Sequence, residues 1–129
     1  MPLLYFNVLE GRTDAELKTM LDAAHRAMLA AFKVPARDRY QIVNEYKLSR
    51  MVVEDTGLGI PRTDEVIVVQ VVSRPRGKDA KQEFYKLLTE ELQKSCGIAP
   101  SDVMVSIIEN TDEDWSFGLG RAQFLEGDL

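Results

Sequence analysis

The sequence has only one cysteine, Cys96, and one histidine, His25, among its 129 residues. An internal disulfide needs two cysteines, so none is possible, and a lone cysteine fits a reducing, cytoplasmic compartment. The two residues are too few for a typical zinc site, so we expect no bound metal. We interpret Cys96 as a structural residue near a helix end, and His25 as a packed or surface residue on the first helix.

Long apolar runs and an excess of basic residues are also missing. No stretch approaches the roughly 20 apolar residues of a membrane span, and the start lacks the basic region of a signal peptide. The formal net charge of −5 argues against nucleic acid as the main partner. A small anionic substrate is still compatible, because local charge can oppose net charge. Length and composition predict a single globular domain over residues 1–129.

The two halves of the chain have a similar pattern when one is shifted by 64 positions. The apolar run that opens the chain aligns with Val66–Val72, and Asp38 aligns with Asp102. Each half, at about residues 2–45 and 66–110, is predicted to form a strand, a helix and a strand. Two right-handed parallel βαβ units side by side give an α/β (α+β) fold, with a four-stranded sheet and both helices on one face.

Local signals place the elements more closely. Thr13-Asp14-Ala15-Glu16 has the capping-box spacing of a helix start, and Pro35 ends that helical region. Gly97 suits the left-handed position after the second helix. Beyond the opening strand, the predicted elements are strands at about Tyr40–Val43, Val66–Val72 and Val103–Ile108 and a second helix at about Asp79–Ser95.

Two segments lie outside these elements. The loop Asp55–Thr63 contains two glycines but lacks the Lys-Ser/Thr pair of a phosphate-binding loop, so we interpret it as a connection. The tail 111–129 carries Trp115, Phe117 and Phe124, which is too aromatic for disorder, and we expect it to pack against something. We interpret the acidic residues near its start as a solvated turn: Glu109, Asp112, Glu113 and Asp114.

Pro2 follows the initiator methionine and leads directly into an apolar strand. A small residue at this position normally permits removal of Met1, which would give Pro2 a free secondary amine. An α-amino group titrates near about pH 7.7–8, so its surroundings can make it a base, an acid or a fixed cation. If Met1 is retained, the Pro2 nitrogen is an amide without acid–base chemistry. Proline at position 2 is also common in proteins where it has no role.

Ser73-Arg74-Pro75-Arg76 closes the strongest predicted strand. Pro75 favours an extended Arg74, and residues two apart in an extended chain point to the same side. Both guanidiniums are therefore predicted to project together, where they suit a carboxylate, although a solvated basic turn is the simpler interpretation. Antiparallel pairing of the first and third strands would bring Pro2 beside these two arginines. Asp38 lies between two arginines, where an ordinary ion pair is the default role.

Together these residues resemble the malonate semialdehyde decarboxylase family of the tautomerase superfamily. The resemblance covers nearly the whole chain, and beside Pro2 it rests on EGRTDAEL at 10–17, VPARDRYQ at 34–41, DTGLG at 55–59, SRPR at 73–76 and ENTDEDWSFGLGRAQF at 109–124. It implies a tautomerase-like homotrimer and a cofactor-independent carboxy-lyase. The implied reaction converts the small oxo acid malonate semialdehyde (3-oxopropanoate) to acetaldehyde and CO2.

The resemblance also implies a role for each matching residue. Pro2 resembles the catalytic amino-terminal proline, which acts in the decarboxylase as a cation. Arg74 and Arg76 resemble the pair that binds the substrate carboxylate, and Asp38 resembles an acidic residue associated with the proline or a catalytic water. The resemblance implies an apolar wall around the site formed by Trp115, Phe117, Phe124 and Leu129.

Two other classes of function are open at this point. One is a hydratase, a dehalogenase or a keto–enol tautomerase of the same superfamily, acting on a short unsaturated or 2-oxo acid. A neutral Pro2 would favour tautomerisation, whereas a charged Pro2 would favour decarboxylation or water addition. The other is a non-enzymatic trimeric binding module, because a fold does not fix a function.

Overall fold

The computed structural model describes residues 1–129 and contains one four-stranded mixed sheet with two long helices. The elements in chain order are β1 (Leu3–Leu9), α1 (Asp14–Phe32), β2 (Tyr40–Tyr46), β3 (Ile67–Ser73), α2 (Lys78–Cys96) and β4 (Val103–Glu109). Short 3-10 turns lie at Leu48–Arg50, Pro100–Asp102 and Asp112–Asp114. The predicted pair of βαβ units is confirmed.

The largest difference from the predicted boundaries is in β2, which continues through Asn44, Glu45 and Tyr46. Asn and Glu have low strand propensity, so the apolar pattern ends before the strand does. Pairing with β1 keeps these residues extended, since Asn44 lies opposite Asn7 and Tyr46 lies opposite Leu9. The predicted boundaries of the other strands and of the second helix differ from the structure by at most one residue.

The strand order β2-β1-β3-β4 places the two units side by side. Within each unit the two strands are parallel, whereas the central β1–β3 pair is antiparallel, with Leu3 opposite Val72. The start of β1 therefore lies beside the end of β3. This is the arrangement that the sequence required for Pro2 to lie near Arg74 and Arg76.

Both helices cover one face of the sheet, and local signals define their ends. The Thr13 hydroxyl accepts the Glu16 N–H at 3.2 Å and the Glu16 carboxylate accepts the Thr13 N–H at 2.9 Å, so the predicted capping box is confirmed. Gly97 is left-handed (φ 68°) and ends α2 as predicted. The core between sheet and helices includes Leu4, Phe6, Val8, Met20, Met28, Val69, Val71, Phe84, Leu88 and Leu92.

The opposite face of the sheet is not covered by a helix. Its exposed apolar side chains are Tyr40 (40%), Ile42 (43%), Met104 (42%) and Ile108 (53%). Residues 50–62 fold beside this face and enclose a groove of about 840 Å³. Within that segment the Asp55 carboxylate accepts the N–H groups of Gly57 and Ile60 at 3.1 and 2.9 Å, so this loop stabilises its own turn. Neither helix combines the length and the hydropathy that crossing a membrane requires.

Candidate active site

The start of the chain lies beside the Asp38 carboxylate. The α-amine of Met1 donates a hydrogen bond to Asp38, whose side chain is only 9% exposed, and Pro2 is buried. The interpretation of Asp38 as an ion-pair partner of its flanking arginines is wrong. Its side chain points inward to the amine, while Arg39 pairs with Asp22 on α1 at 2.7 Å.

A tight turn before β2 holds Asp38 in this position. The Asp38 N–H donates to the Pro35 carbonyl at 2.9 Å, which closes the turn. His25 is buried on α1, and its Nε2 lies 2.9 Å from the Ala36 carbonyl oxygen, so the ring donates to that carbonyl. His25 thus connects the first helix to the turn that carries Asp38.

Arg76 follows β3 at the same end of the sheet. Its Nε donates to the Ser73 hydroxyl at 2.9 Å, and its guanidinium carbon lies 5.4 Å from the centre of the Phe32 ring. Its Nη2 is buried and has no hydrogen-bond partner in the chain. A buried charged donor without a partner is costly, so this group indicates a place for an anionic ligand.

Arg74 is held by the tail rather than by its own strand. Its Nε lies 2.7 Å from an oxygen of Asp112, and its guanidinium carbon lies 4.4 Å from the centre of the Phe124 ring. The predicted turn is present at Asp112–Asp114 and is largely exposed, but it is not only solvated, because Asp112 pairs with Arg74. Besides Asp112, Glu109 pairs with Lys81, and the Asp114 carboxylate accepts the Thr111 N–H at 2.8 Å. The cause is the sheet register, which puts the end of β4 beside the basic segment after β3.

Opposing effects act on the pKa of the α-amine at the chain start. Burial lowers the pKa of the α-amine from its usual value, and the positive charges of Arg76 and Arg74 lower it further. Asp38 raises this pKa through its hydrogen bond and its charge, but the net direction is down. Burial, which is the largest cause, is the one that the sequence does not reveal. Burial also lowers the pKa of Arg76, and Arg74 adds to that effect.

An aromatic wall stands beside the chain start. Phe117 and Leu129 line a cavity of about 360 Å³ together with Met1 and Asp38. The Phe117 ring centre lies 5.5 Å from that of Trp115 and 5.4 Å from that of Phe124. The structure thus places two residues of the implied wall at the cavity, and it places Trp115 and Phe124 behind Phe117.

The two arginines do not line this cavity. Arg74 lines a neighbouring cleft of about 410 Å³ with Asp112 and Leu125, and it reaches the wall through its contact with Phe124. Both arginines nevertheless act on the pKa of the chain-start amine. The amine, the carboxylate and the guanidiniums therefore share one electrostatic environment at one end of the β1–β3 pair.

Sequence reasoning gave no role to two further residues at the cavity. Tyr40 stacks on Phe117, with ring centres 5.8 Å apart. Gln123 accepts the Phe117 N–H at 2.9 Å and donates to the Gly118 carbonyl at 2.8 Å, so its amide fixes the turn that carries Phe117. Both residues lie in segments that carry the family resemblance, VPARDRYQ at 34–41 and ENTDEDWSFGLGRAQF at 109–124, but neither segment gave them a role.

Cys96 lies apart from this site, at the end of α2 in a crevice of about 310 Å³ with Arg12 and Glu65. Burial raises the pKa of its thiol, so the thiolate that reacts as a nucleophile is disfavoured there. The chain contains no group of three or more His, Cys, Asp and Glu side chains placed to hold a metal ion.

Comparisons with known proteins agree with this geometry. A family model described as "Tautomerase enzyme" matches residues 38–118, and a second with the same description matches residues 2–61. The chain belongs to the tautomerase superfamily. The probable tautomerase YrdN of Bacillus subtilis (strain 168) is 54% identical over the full length of both chains. The probable tautomerase YusQ of the same strain is 30% identical over 98% of this chain and 100% of its own.

Solved structures indicate which branch of the tautomerase superfamily this chain resembles. A malonate semialdehyde decarboxylase matches with a TM-score of 0.97 and 57% identity over 98% of each chain. A second one, inhibited by 3-bromopropiolate, matches with a TM-score of 0.94 and 36% identity over 98% of this chain and 97% of its own. The resemblance predicted from the sequence is confirmed. A fused 4-OT described as a symmetric trimer shares the fold at 21% identity, over 97% of this chain and 98% of its own, with a TM-score of 0.78.

Proposed function

We propose that the protein is a cofactor-independent decarboxylase that converts malonate semialdehyde to acetaldehyde and CO2. The observation that carries the proposal is Arg76 Nη2, a buried donor without a partner, in the same electrostatic environment as the chain-start amine and Asp38. A cationic pocket of this kind suits a short carboxylate. The solved structure at 57% identity is described as giving a structural basis for decarboxylase and hydratase activities.

Removal of Met1 would transfer the free amine to Pro2. Pro2 is buried and directly precedes β1, whose start lies beside the end of β3, and Met1 itself lines the cavity next to Asp38. Processing would therefore create a secondary amine and vacate the position that the Met1 amine occupies. Asp38 would be the carboxylate available to that amine.

The proposed chemistry needs an acceptor for the electron pair left by CO2. A protonated Pro2 next to the substrate carbonyl oxygen would stabilise the enolate that forms. Arg74 and Arg76 would hold the carboxylate with the breaking C–C bond perpendicular to the carbonyl plane. Protonation of the enolate carbon then gives acetaldehyde. A covalent iminium through the Pro2 nitrogen is an alternative route to the same electron acceptor.

The arginines and the aromatic wall would have opposing effects on the rate. Arginines that stabilise the bound carboxylate more than the transition state slow its loss. Phe117 and Phe124 would offset this effect, because excluding water favours the conversion of a charged carboxylate to neutral CO2. The stacking of Phe117 against Trp115 and Tyr40 keeps this apolar surface in place.

The test compares protein with and without Met1, distinguished by intact mass. Processed protein should release acetaldehyde from malonate semialdehyde, whereas protein that retains Met1 should not, because its Pro2 nitrogen is an amide. Equal turnover by both forms would contradict the role of Pro2. Borohydride added in the presence of substrate would trap an iminium at the Pro2 nitrogen, which tests the covalent route.

One observation favours keto–enol tautomerisation as a second candidate. The lowered pKa of the chain-start amine increases the fraction of neutral amine near neutral pH, and a neutral amine can act as a base. Acetaldehyde release, halide release and enol ketonisation should therefore be assayed side by side. The substrate with the highest kcat/KM decides between the candidates.

We also propose that the open face of the sheet is covered by two further copies in a homotrimer. That face carries exposed apolar side chains and a polar centre where Asn7 donates to Gln70 at 3.0 Å. Fused 4-OT structures with the same fold are described as trimers. Sedimentation equilibrium should give three times the 14.6 kDa chain mass, and Ile108→Lys on this face should reduce it.

A further inference from the structure

The two arginines of the site are held in the same way. Each has its Nε against an oxygen of the chain: Arg76 Nε donates to the Ser73 hydroxyl at 2.9 Å, and Arg74 Nε forms an ion pair with Asp112 at 2.7 Å. Each guanidinium also lies over an aromatic ring, Phe32 for Arg76 and Phe124 for Arg74. A guanidinium has five N–H donors, and four of them belong to the Nη groups. A contact at Nε, together with the ring beneath the group, holds each guanidinium and leaves its Nη fork free for a carboxylate.

The two anchoring oxygens differ in charge and exposure. Ser73 is neutral, fully buried and only three residues from Arg76. Asp112 is anionic, its side chain is 48% exposed, and it lies on the 3-10 turn that begins the tail. The orientation of Arg76 thus depends on a local contact in the core, whereas that of Arg74 depends on the tail.

The turn that carries Asp112 is well fixed. The Asp114 carboxylate accepts both the N–H and the hydroxyl of Thr111, at 2.8 and 3.0 Å. On the far side of the turn, Trp115 Nε1 donates to Asn110 at 2.7 Å. Asp112 therefore stands in a defined place rather than at the end of a mobile chain.

We infer that Asp112 is a positioning residue, which holds Arg74 so that its Nη groups face a substrate carboxylate. The inference rests on the proposed role of Arg74 in the decarboxylase site. It extends that role to a residue of the tail and makes anion binding depend on how the tail packs. Removing the anchor should weaken binding, while removing only the negative charge should not.

Two substitutions separate position from charge. Asp112→Ala removes the acceptor and lets Arg74 rotate, so the affinity for carboxylates should fall. Asp112→Asn keeps an oxygen that can accept from Nε, but it loses the charge that offsets Arg74. Its affinity for an anion should equal or exceed that of the wild type. Glu113→Gln is the matched control, because Glu113 is exposed on the same turn and makes no ion pair.

The experiment uses full-length protein without Met1 and measures two quantities. Calorimetry gives the Kd of 3-hydroxypropanoate, a short carboxylate that cannot lose CO2 by this route, and steady-state assays give kcat and KM for malonate semialdehyde. Asp112→Ala should raise Kd and KM about tenfold, the equivalent of about 1.4 kcal/mol, with less than about a threefold change in kcat. Asp112→Asn should keep Kd at or below the wild-type value, and Glu113→Gln should change neither constant.

Two results would overturn the inference: equal Kd values for Asp112→Ala and Glu113→Gln, or the same loss of affinity in Asp112→Asn as in Asp112→Ala. If Asp112→Ala does not fold, Asp112→Ser replaces it, because serine is too short to reach Nε. If no variant releases acetaldehyde, the proposed function fails. The Kd values still decide the role of Asp112 in that case.

Discussion

The two ends of the β1–β3 pair are built from equivalent residues, yet only one of them holds a chain terminus. Under the 64-residue shift, Arg12 corresponds to Arg76 and Asp102 corresponds to Asp38. Asp38 accepts the α-amine at the start of the chain. Asp102 is 1% exposed, and it accepts the N–H of Thr63 at 2.7 Å as well as its hydroxyl.

The two ends differ in the chemical groups that they leave available. At both ends a carboxylate binds the segment that precedes a central strand. At the Asp102 end this segment is continuous chain, so the N–H that Asp102 binds belongs to an inert amide. At the Asp38 end it is the chain-start amine. Arg12 likewise donates to the Glu65 carbonyl at 2.8 Å, whereas Arg76 keeps a buried donor without a partner. A free terminus and a buried guanidinium nitrogen without a partner, Arg76 Nη2, distinguish the candidate site from its structural counterpart.

The largest effect should come from the equivalent arginines. Arg76→Ala should lower kcat/KM roughly 100-fold, because truncating one partner of a buried charged pair costs about 2–5 kcal/mol. Arg12→Ala removes only an exposed bond to a carbonyl, so kcat/KM should stay within about threefold of the wild type. Steady-state kinetics measure both, and thermal melts check the fold. Full turnover in Arg76→Ala and Arg74→Ala would remove the basis for a carboxylate clamp.

The equivalent aspartates should separate activity from stability. Asp38 raises the pKa of the chain-start amine, so Asp38→Asn should lower the pKa of Pro2 in processed protein. If the protonated amine is the active form, activity is present below this pKa and is lost as pH rises through it. The variant should then lose activity at a lower pH than the wild type. NMR titration of Pro2 and the pH profile of kcat/KM measure the shift, and an unchanged or raised pKa rejects this role.

Asp102→Asn is the counterpart of that substitution. It weakens the contacts that Asp102 makes to the N–H and the hydroxyl of Thr63, and a buried donor with a poorer acceptor costs about 1–3 kcal/mol. The midpoint of urea unfolding should fall by a corresponding amount, while the pH profile of kcat/KM should not change. A shifted profile would mean that the two ends of the pair are coupled.

The starts of the two helices extend the comparison. Thr13 caps α1, and its counterpart under the shift is Gly77, which precedes α2 with φ 77° and ψ 154° and without a side-chain cap. Only glycine adopts this backbone region readily, so Gly77→Ala should cost about 1–3 kcal/mol. Because Gly77 follows Arg76 directly, KM should rise as well. Lys78→Ala, at an exposed neighbour without an ion pair, should change neither quantity.

The sequence was sufficient where contacts are periodic or local. Apolar runs indicated β1 and β3, the Thr13-to-Glu16 spacing indicated the start of α1, and Pro75 indicated the extended arginine segment. These signals involve residues within a few positions of each other. The internal repeat left an antiparallel central pair as the arrangement that would bring Pro2 to the arginines, and the structure has that pairing.

The remaining features depend on partners that are distant in sequence. An acidic run such as 112–114 has the same pattern whether it faces water or Arg74, and only the register of β3 against β4 decides between them. The inward direction of Asp38 and the position of Gln123 against Phe117 likewise depend on how the turn and the tail pack. The burial that lowers the pKa of the amine is a property of the whole fold.

The smallest effect should come from Thr13→Ala at the start of α1. Loss of an N-terminal cap typically costs about 1 kcal/mol, and urea unfolding should show a loss of this size with an unchanged slope. Because the Thr13 cap lies at the end of the sheet opposite to the arginines, kcat/KM should be the same as in the wild type. A variant that also loses activity would show that capping of α1 is transmitted along the helix to His25 and the Asp38 turn. In that case the start of α1 at Thr13 would affect the site as well as the stability of the fold, as the start of α2 at Gly77 is expected to do.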